Sequence, residues 1–279
     1  MKVALIQMRT PADQAAAFAQ AEPLVRQAAA AGAELVLTPE GTNILQRDRD
    51  KLFQVLLTAE EDPCVQGLIG LAKELNIWVL IGSALVKRED GGAANRAMLV
   101  SPDGRVVATY DKLHMFDVDL PTGETIRESA SYTPGERAVV AETPFGRIGL
   151  SICYDIRFPQ LYRALAKAGA VIMTVPAAFT RPTGEAHWEI LLRARAIEMG
   201  AFVLAPAQGG RHQDGRGTWG RSMAIGPWGQ VLAVADHDEP CVVMAELDLD
   251  ASPKARQAIP ALKNARDFTG PDIAPHSAS

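Results

Sequence analysis

Among the residues that could do chemistry in this chain, Cys153 stands in the most informative place. It follows the apolar run Gly146-Arg147-Ile148-Gly149-Leu150-Ser151-Ile152 and precedes Tyr154-Asp155, with a helix expected from Pro159. A strand that turns sharply into a helix exposes a side chain above its sheet and offers backbone N–H groups to a developing oxyanion. A free cysteine is more often a small buried hydrophobe, so position alone leaves both readings open. Cys64, after Asp62-Pro63 at a helix start, and Cys241, opening an edge-like strand, read as structural.

Three charged residues sit where chemistry is possible. Glu40 ends the strand Leu35–Leu37, at the carboxyl end where α/β proteins place their ligands. Lys112, in Tyr110-Asp111-Lys112-Leu113-His114, follows a strand and opens a long irregular stretch over residues 111–137. Glu128 lies in the same stretch. Each taken alone reads more readily as a solvated surface charge. Loops this long in compact proteins are more often functional than idle.

Other chemistries lack their signatures. The five histidines, His114, His187, His212, His237 and His276, form no metal-ligand spacing with one another or with the cysteines. No phosphate-cradling glycine pattern occurs. A net charge of -5 argues against a nucleic-acid partner, which would need a basic stripe. The apolar N-terminal run Val3–Gln7 is too short for a signal peptide or a membrane span, so no membrane partner is expected. Three widely spaced cysteines do not make a disulfide framework, which points to a reducing cytoplasm.

Apolar runs and helical patterns alternate to position these residues. Hydrophobic residues make up 48% of the 279 residues, enough for a sizeable core. Strands are expected at Val3–Gln7, Leu35–Leu37, Trp78–Leu85 and, as a hairpin about Ser101-Pro102-Asp103-Gly104, at Asn95–Val100 and Arg105–Thr109. Helices are expected over 12–31, ending at Gly32, and at Val65–Leu75. The second half repeats the alternation: strands at Gly146–Ile152, Val171–Pro176 and Phe202–Ala205, with helices at Pro159–Ala168 and Ala186–Met199. A three-stranded meander, Arg221–Ile225, Gln230–Val234 and Val242–Glu246, closes the pattern. Residues 1–268 read as a single domain and 269–279 as a frayed tail. Such alternation implies an α/β fold with helices covering sheets, one sheet or two.

The order and local wording of the motifs add what the single residues lack. Thr38-Pro39-Glu40, Tyr110-Asp111-Lys112-Leu113-His114-Met115-Phe116-Asp117 and Cys153-Tyr154-Asp155-Ile156-Arg157-Phe158-Pro159 resemble the nitrilase superfamily of carbon–nitrogen hydrolases. So do Pro176-Ala177-Ala178-Phe179, Thr183-Gly184-Glu185-Ala186-His187-Trp188-Glu189 and Arg193-Ala194-Arg195-Ala196-Ile197-Glu198, and the likeness runs to about residue 268. Thr38 departs from the bulky apolar residue usual there, and Gly220-Arg221-Ser222 stands where Gly-His-Ser is frequent.

The resemblance implies a four-layer αββα sandwich, two mixed sheets with helices on their outer faces. It also implies a catalytic set: Glu40 as base, Lys112 as electrophile, Cys153 as nucleophile, with Glu128 in support and the Tyr154 backbone N–H at the oxyanion. Arg47, Phe179 and His187 become candidates for substrate contact, and Arg157 a structural partner of Asp155. No metal or organic cofactor is implied. A small-molecule amide and water are the reactants, and a homodimer or higher homo-oligomer is expected. Gln46-Arg47-Asp48, Asp117-Val118-Asp119-Leu120-Pro121 and Ala207-Gln208-Gly209-Gly210-Arg211-His212 look closest to the deaminated glutathione amidase branch, whose substrate is a 2-oxoglutaryl peptide. An ω-amidase on 2-oxoglutaramate, an N-carbamoyl amide hydrolase and a non-catalytic binding protein on the same fold are the alternatives. A true nitrilase ranks behind the amidases.

Overall fold

The computed structural model describes residues 1–120 and 123–272. The first sheet is built from β1 (Lys2–Gln7), β2 (Leu35–Leu37), β3 (Trp78–Lys87), β4 (Ala93–Val100) and β5 (Val106–Asp111). A small hairpin of β6 (Asp117–Asp119) and β7 (Thr125–Arg127) follows. The second sheet starts with β8 (Val140–Thr143), β9 (Gly146–Gly149), β10 (Ala170–Thr174) and β11 (Phe202–Ala205). A second hairpin, β12 (Gly209–Arg211) with β13 (Gly217–Trp219), precedes β14 (Met223–Ile225), β15 (Val231–Val234) and β16 (Cys241–Glu246). The helices are α1 (Gln14–Ala30), α2 (Arg49–Val55), α3 (Pro63–Leu75), α4 (Pro159–Lys167), α5 (Arg181–Met199), α6 (Ala251–Ala258) and α7 (Ala261–Asn264).

Strand order is β16-β1-β2-β3-β4-β5 in one six-stranded sheet and β15-β14-β11-β10-β9-β8 in the other. Each mixes parallel and antiparallel pairs, as the sandwich requires. Alternation within β1 explains the layering. Val3 and Leu5 point into the core shared by the two sheets, alongside Ile148 and Leu150. Ala4 and Ile6 point the other way, onto Ala17, Ala21 and Val25 of α1 and Val65 and Leu68 of α3. All four β1 side chains are therefore buried, which is why the run reads as continuously apolar. Truncating Leu5 to alanine would cost about 2–5 kcal/mol.

The helix ends follow local chemistry. Asp13 caps α1 through the Ala16 N–H, and Asp62 caps α3 through Cys64 and Val65 with Pro63 in the first turn. Gly32, at φ +87°, lies just past α1, where the sequence predicts the stop.

The expected sandwich is present, with three differences of detail. The last strand of the expected meander is not in it: β16 leaves β15 and pairs antiparallel with β1 in the other sheet, Lys2 opposite Glu246. Helix α2 has only one fully buried apolar anchor, Leu52, too little periodicity to show in sequence. The stretch over 111–137 contains the β6–β7 hairpin and a short 3₁₀ turn at Glu128–Ala130. Pro121 of the branch-specific segment, and residues 273–279 of the expected tail, lie outside the described residues.

Candidate active site

Glu40, Lys112, Glu128 and Cys153 come together at one end of the sandwich. Glu40 sits past β2 on a tight turn: the Gly41 N–H donates to Ser83 Oγ (2.9 Å), and Thr42 Oγ1 donates to the Pro39 carbonyl (2.6 Å). Thr38 is buried beneath, its Oγ1 2.7 Å from Thr42 Oγ1 and accepting from the Gly82 N–H (3.1 Å). Its hydroxyl thus does positional work that a bulky apolar residue could not. Gly82 has to be glycine, because a Cβ there would meet the Thr38 carbonyl oxygen at 1.8 Å.

Lys112 leaves the end of β5 and points inward, 1% exposed. Its ammonium donates to Glu40 Oε1 (2.9 Å) and to both oxygens of Glu128 (2.9 and 2.8 Å). Burial alone would lower its pKa, but the two carboxylates outweigh it and hold Lys112 well above the ordinary lysine value. Burial would likewise raise Glu40. The Lys112 charge and hydrogen bonds from Cys153, Lys112 and Asn95 win instead, holding that carboxyl below the usual range. Glu40 Oε2 also accepts the Ala178 N–H at 2.9 Å.

Cys153 lies on the expected corner, at φ +48°, a left-handed conformation costly for a non-glycine residue. Its own N–H donates to the Pro176 carbonyl (2.8 Å). The 3₁₀ turn that follows, Cys153–Arg157, begins its hydrogen-bonded series with Asp155 N–H to Ile152 C=O (3.0 Å), so the Tyr154 N–H lies ahead of that series. Burial, and then the negative charge of Glu40, push the Cys153 thiol well above its ordinary pKa. The resting site therefore holds a neutral thiol beside an ionised carboxylate.

These groups floor a cavity of about 510 Å³. Six arginines line it: Arg47, Arg49, Arg127, Arg157, Arg181 and Arg216. Five have a carboxylate within 4.0 Å, namely Glu124, Asp50, Asp119, Asp238 and Asp214 respectively. Among the described residues Arg157 has none. Its guanidinium lies over the rings of Tyr154 and Phe179, 5.9 and 5.6 Å from their centroids, and donates to His187 Nδ1 at 3.2 Å.

With that geometry in view, residues 2–257 match the carbon-nitrogen hydrolase family. The chain belongs to this family. It is 41% identical over 265 residues to a deaminated glutathione amidase of Synechocystis, covering 94% of this chain and 96% of that one. A deaminated glutathione amidase of Yersinia enterocolitica is 39% identical over 267 residues, covering 95% and 92%. In three dimensions the chain superposes on the NitFhit protein of C. elegans with a TM-score of 0.89 at 34% identity, covering 95% of this chain and 65% of that one.

Two expectations about a carbon-nitrogen hydrolase pocket need correcting. Arg157 is not the partner of Asp155. That buried carboxylate is filled by Tyr110 Oη (2.6 Å), the Ile152 N–H (2.9 Å), the His114 N–H (3.1 Å) and His114 Nδ1 (2.7 Å), leaving Arg157 to the cavity. His187 is not on the cavity wall but on the exposed face of α5, behind Arg157. Phe179 does line the wall, packed on Trp188 with centroids 4.8 Å apart. Arg47 lines the rim but is tied to Glu124 at 3.2 Å.

Sequence reasoning missed Asn95 and the Ala178 N–H, both direct donors to Glu40. Asn95 was within a strand pattern, and a backbone donor has no residue-type signal. Among the described residues no group of three or more His, Cys, Asp or Glu side chains is arranged to hold a metal.

Proposed function

We propose that the chain is an amidase that cleaves a carboxylate-bearing amide through a Cys153 thioester, with a 2-oxoglutaryl peptide of the deaminated glutathione type as substrate. The observation that carries this reading is Arg157, a cation beside the nucleophile without a carboxylate partner among the described residues. Its planar fork suits a bidentate carboxylate. The names of the Synechocystis and Yersinia relatives agree with the choice of substrate.

Glu40 takes the thiol proton as Cys153 Sγ attacks the amide carbon. A buried carboxylate and thiol exchange the proton only as the bond forms, since the resting thiol is held neutral. Negative charge then grows on the former carbonyl oxygen, opposite Lys112 and the Tyr154 N–H, each such donor being worth about 3 kcal/mol. Protonated Glu40 passes its proton to the leaving nitrogen and the amine departs. Glu40 next takes a proton from water, whose oxygen attacks the thioester carbon. Collapse expels the thiolate, which regains its proton from Glu40, and releases the carboxylic acid. Glu128 holds Lys112 in place, and its second oxygen is fixed by the Phe116 N–H at 2.6 Å.

The core shared by both sheets supports reading 1–268 as one hydrolase domain. No described helix is long and apolar enough to cross a membrane, and we place the enzyme in the cytoplasm on the sparse cysteine pattern. Ile190 and Ile197 of α5 are 69% and 55% exposed, and Trp228, the chain neighbour of Gly229 that approaches Ile197, is 60% exposed, apolar surface that supports a homodimer. Ile190→Asp together with Trp228→Asp should give monomers in light scattering. A panel of 2-oxoglutaryl peptides, 2-oxoglutaramate, N-carbamoyl compounds and nitriles tests the activity. Turnover of the peptides well above the others is the expected result, and preference for any other member overturns the substrate assignment.

A further inference from the structure

Asn95, on β4, touches all three members of the Glu40–Lys112–Glu128 cluster, the two acids through its side chain and Lys112 through its backbone. Its carbonyl accepts the Lys112 backbone N–H at 2.9 Å. Its side-chain nitrogen donates to Glu40 Oε1 at 2.9 Å and to Glu128 Oε1 at 3.3 Å. The amide can face this way only, because the opposite orientation would set an oxygen against two carboxylates. That orientation has a cost. Asn95 is 2% exposed, and its Oδ1 is a buried side-chain atom without a hydrogen-bond partner among the described residues. A fold that needed Asn95 only for packing would have no reason to strand an acceptor there.

We infer that Asn95 is a positioning residue: by donating one N–H to each carboxylate it holds Glu40 and Glu128 on a single ammonium and keeps Glu40 ionised as the base. Two carboxylates sharing one cation would otherwise repel, and a proton would settle on one of them. Among the described residues the side chain makes no hydrogen bond to the Cys153 thiol. It acts through Glu40, so its loss is read in the protonation state of the base. The other titratable groups facing Glu40 are Lys112, Glu128, Cys153 and Tyr132. All of them stay in place in the variants below.

This inference rests on Glu40 being the base, and a readout that needs no amide substrate separates the two. The rate at which iodoacetamide alkylates Cys153 is followed by mass spectrometry between pH 3.5 and pH 8, with circular dichroism confirming the fold. For Asn95→Ala the acid limb should move up by about one pH unit, and the plateau should fall by about tenfold. Asn95→Ser, whose shorter hydroxyl reaches at most one carboxylate, should fall between it and the parent chain. An unmoved midpoint in both variants, or loss of folding in both, overturns the role. Glu40→Gln must erase the acid limb. If that limb persists, it is the base assignment that fails, whatever Asn95 does.

Discussion

Tyr110 and Asp155 meet in a 2.6 Å hydrogen bond, the phenol donating to a carboxylate with no solvent exposure. Tyr110 lies shortly before Lys112 in the chain, and Asp155 shortly after Cys153. The bond therefore ties the strand that carries the ammonium to the corner that carries the thiol. Tyr110→Phe leaves the carboxylate one donor short, which should cost about 1–3 kcal/mol of stability in urea unfolding. Turnover should fall along with it, because the two groups are no longer held in register. Normal turnover in a destabilised Tyr110→Phe would separate the corner from the chemistry and sink this account.

Cys153→Ala should abolish turnover and leave the thermal unfolding transition cooperative. The left-handed backbone at Cys153 is set by its neighbours, including the Pro176 carbonyl that takes its N–H. Wild-type rates from a clean Cys153→Ala preparation would rule out the cysteine mechanism.

Lys112→Arg keeps the charge and loses the site. The ammonium is packed against two carboxylates with almost no exposure, and a planar guanidinium cannot reproduce three short bonds converging on one nitrogen. We expect kcat to drop by about a hundredfold or more, the scale of losing an oxyanion donor. A near-normal rate would return Lys112 to the status of a structural ion.

Charge at the mouth can be divided between two arginines. Arg157→Ala should lower kcat/KM on a 2-oxoglutaryl peptide by about a hundredfold, the scale of a lost charge-assisted pair, and should change an uncharged amide far less. Arg47→Ala should have the weaker effect, since Glu124 already neutralises Arg47. Equal losses on charged and uncharged amides from Arg157→Ala would remove it from substrate recognition.

The buried His212 gives a pH signature distinct from that of the site. Burial lowers its pKa to about 4, so the folded protein keeps it neutral where an unfolded chain, near 6.5, takes up a proton. The stabilisation is complete above pH 6.5 and is lost as pH falls towards 4. It amounts to about 3 kcal/mol over that window. His212→Asn should flatten this part of the stability profile, and a parallel decline in both proteins would assign the acid loss to other groups.

Much of the site could be read in the sequence, because Glu40, Lys112, Glu128 and Cys153 each sit at the end of an element or in an irregular stretch, and their motif wording is dense. Asn95 could not. It looks like one more polar position in β4, and only the third dimension brings it between two carboxylates. Arg157 differs from expectation for a related reason: the family resemblance implies a pair with Asp155, yet Tyr110 and His114 reach that carboxylate first. The layers of the fold were legible from alternation, as in β1. The partner of β16 was not, since a half-buried strand carries no record of which sheet edge it joins.

The pairing of β1 with β16 also sets an order on the birth of the molecule. β1 leaves the ribosome long before β16, and Gln7 must wait for distant partners: it donates to the carbonyls of His237 and Glu239 and accepts the Ser222 N–H. Until those residues are made, one edge of β1 is an open template for other strands. The same delay holds the thiol in reserve. Cys153 emerges before Ala178, whose N–H grips Glu40, and long before the sheet edge is closed. A nascent or C-terminally truncated chain therefore lacks the Ala178 contact to Glu40 until residue 178 is made, and the β1 edge stays open until β16 pairs with it.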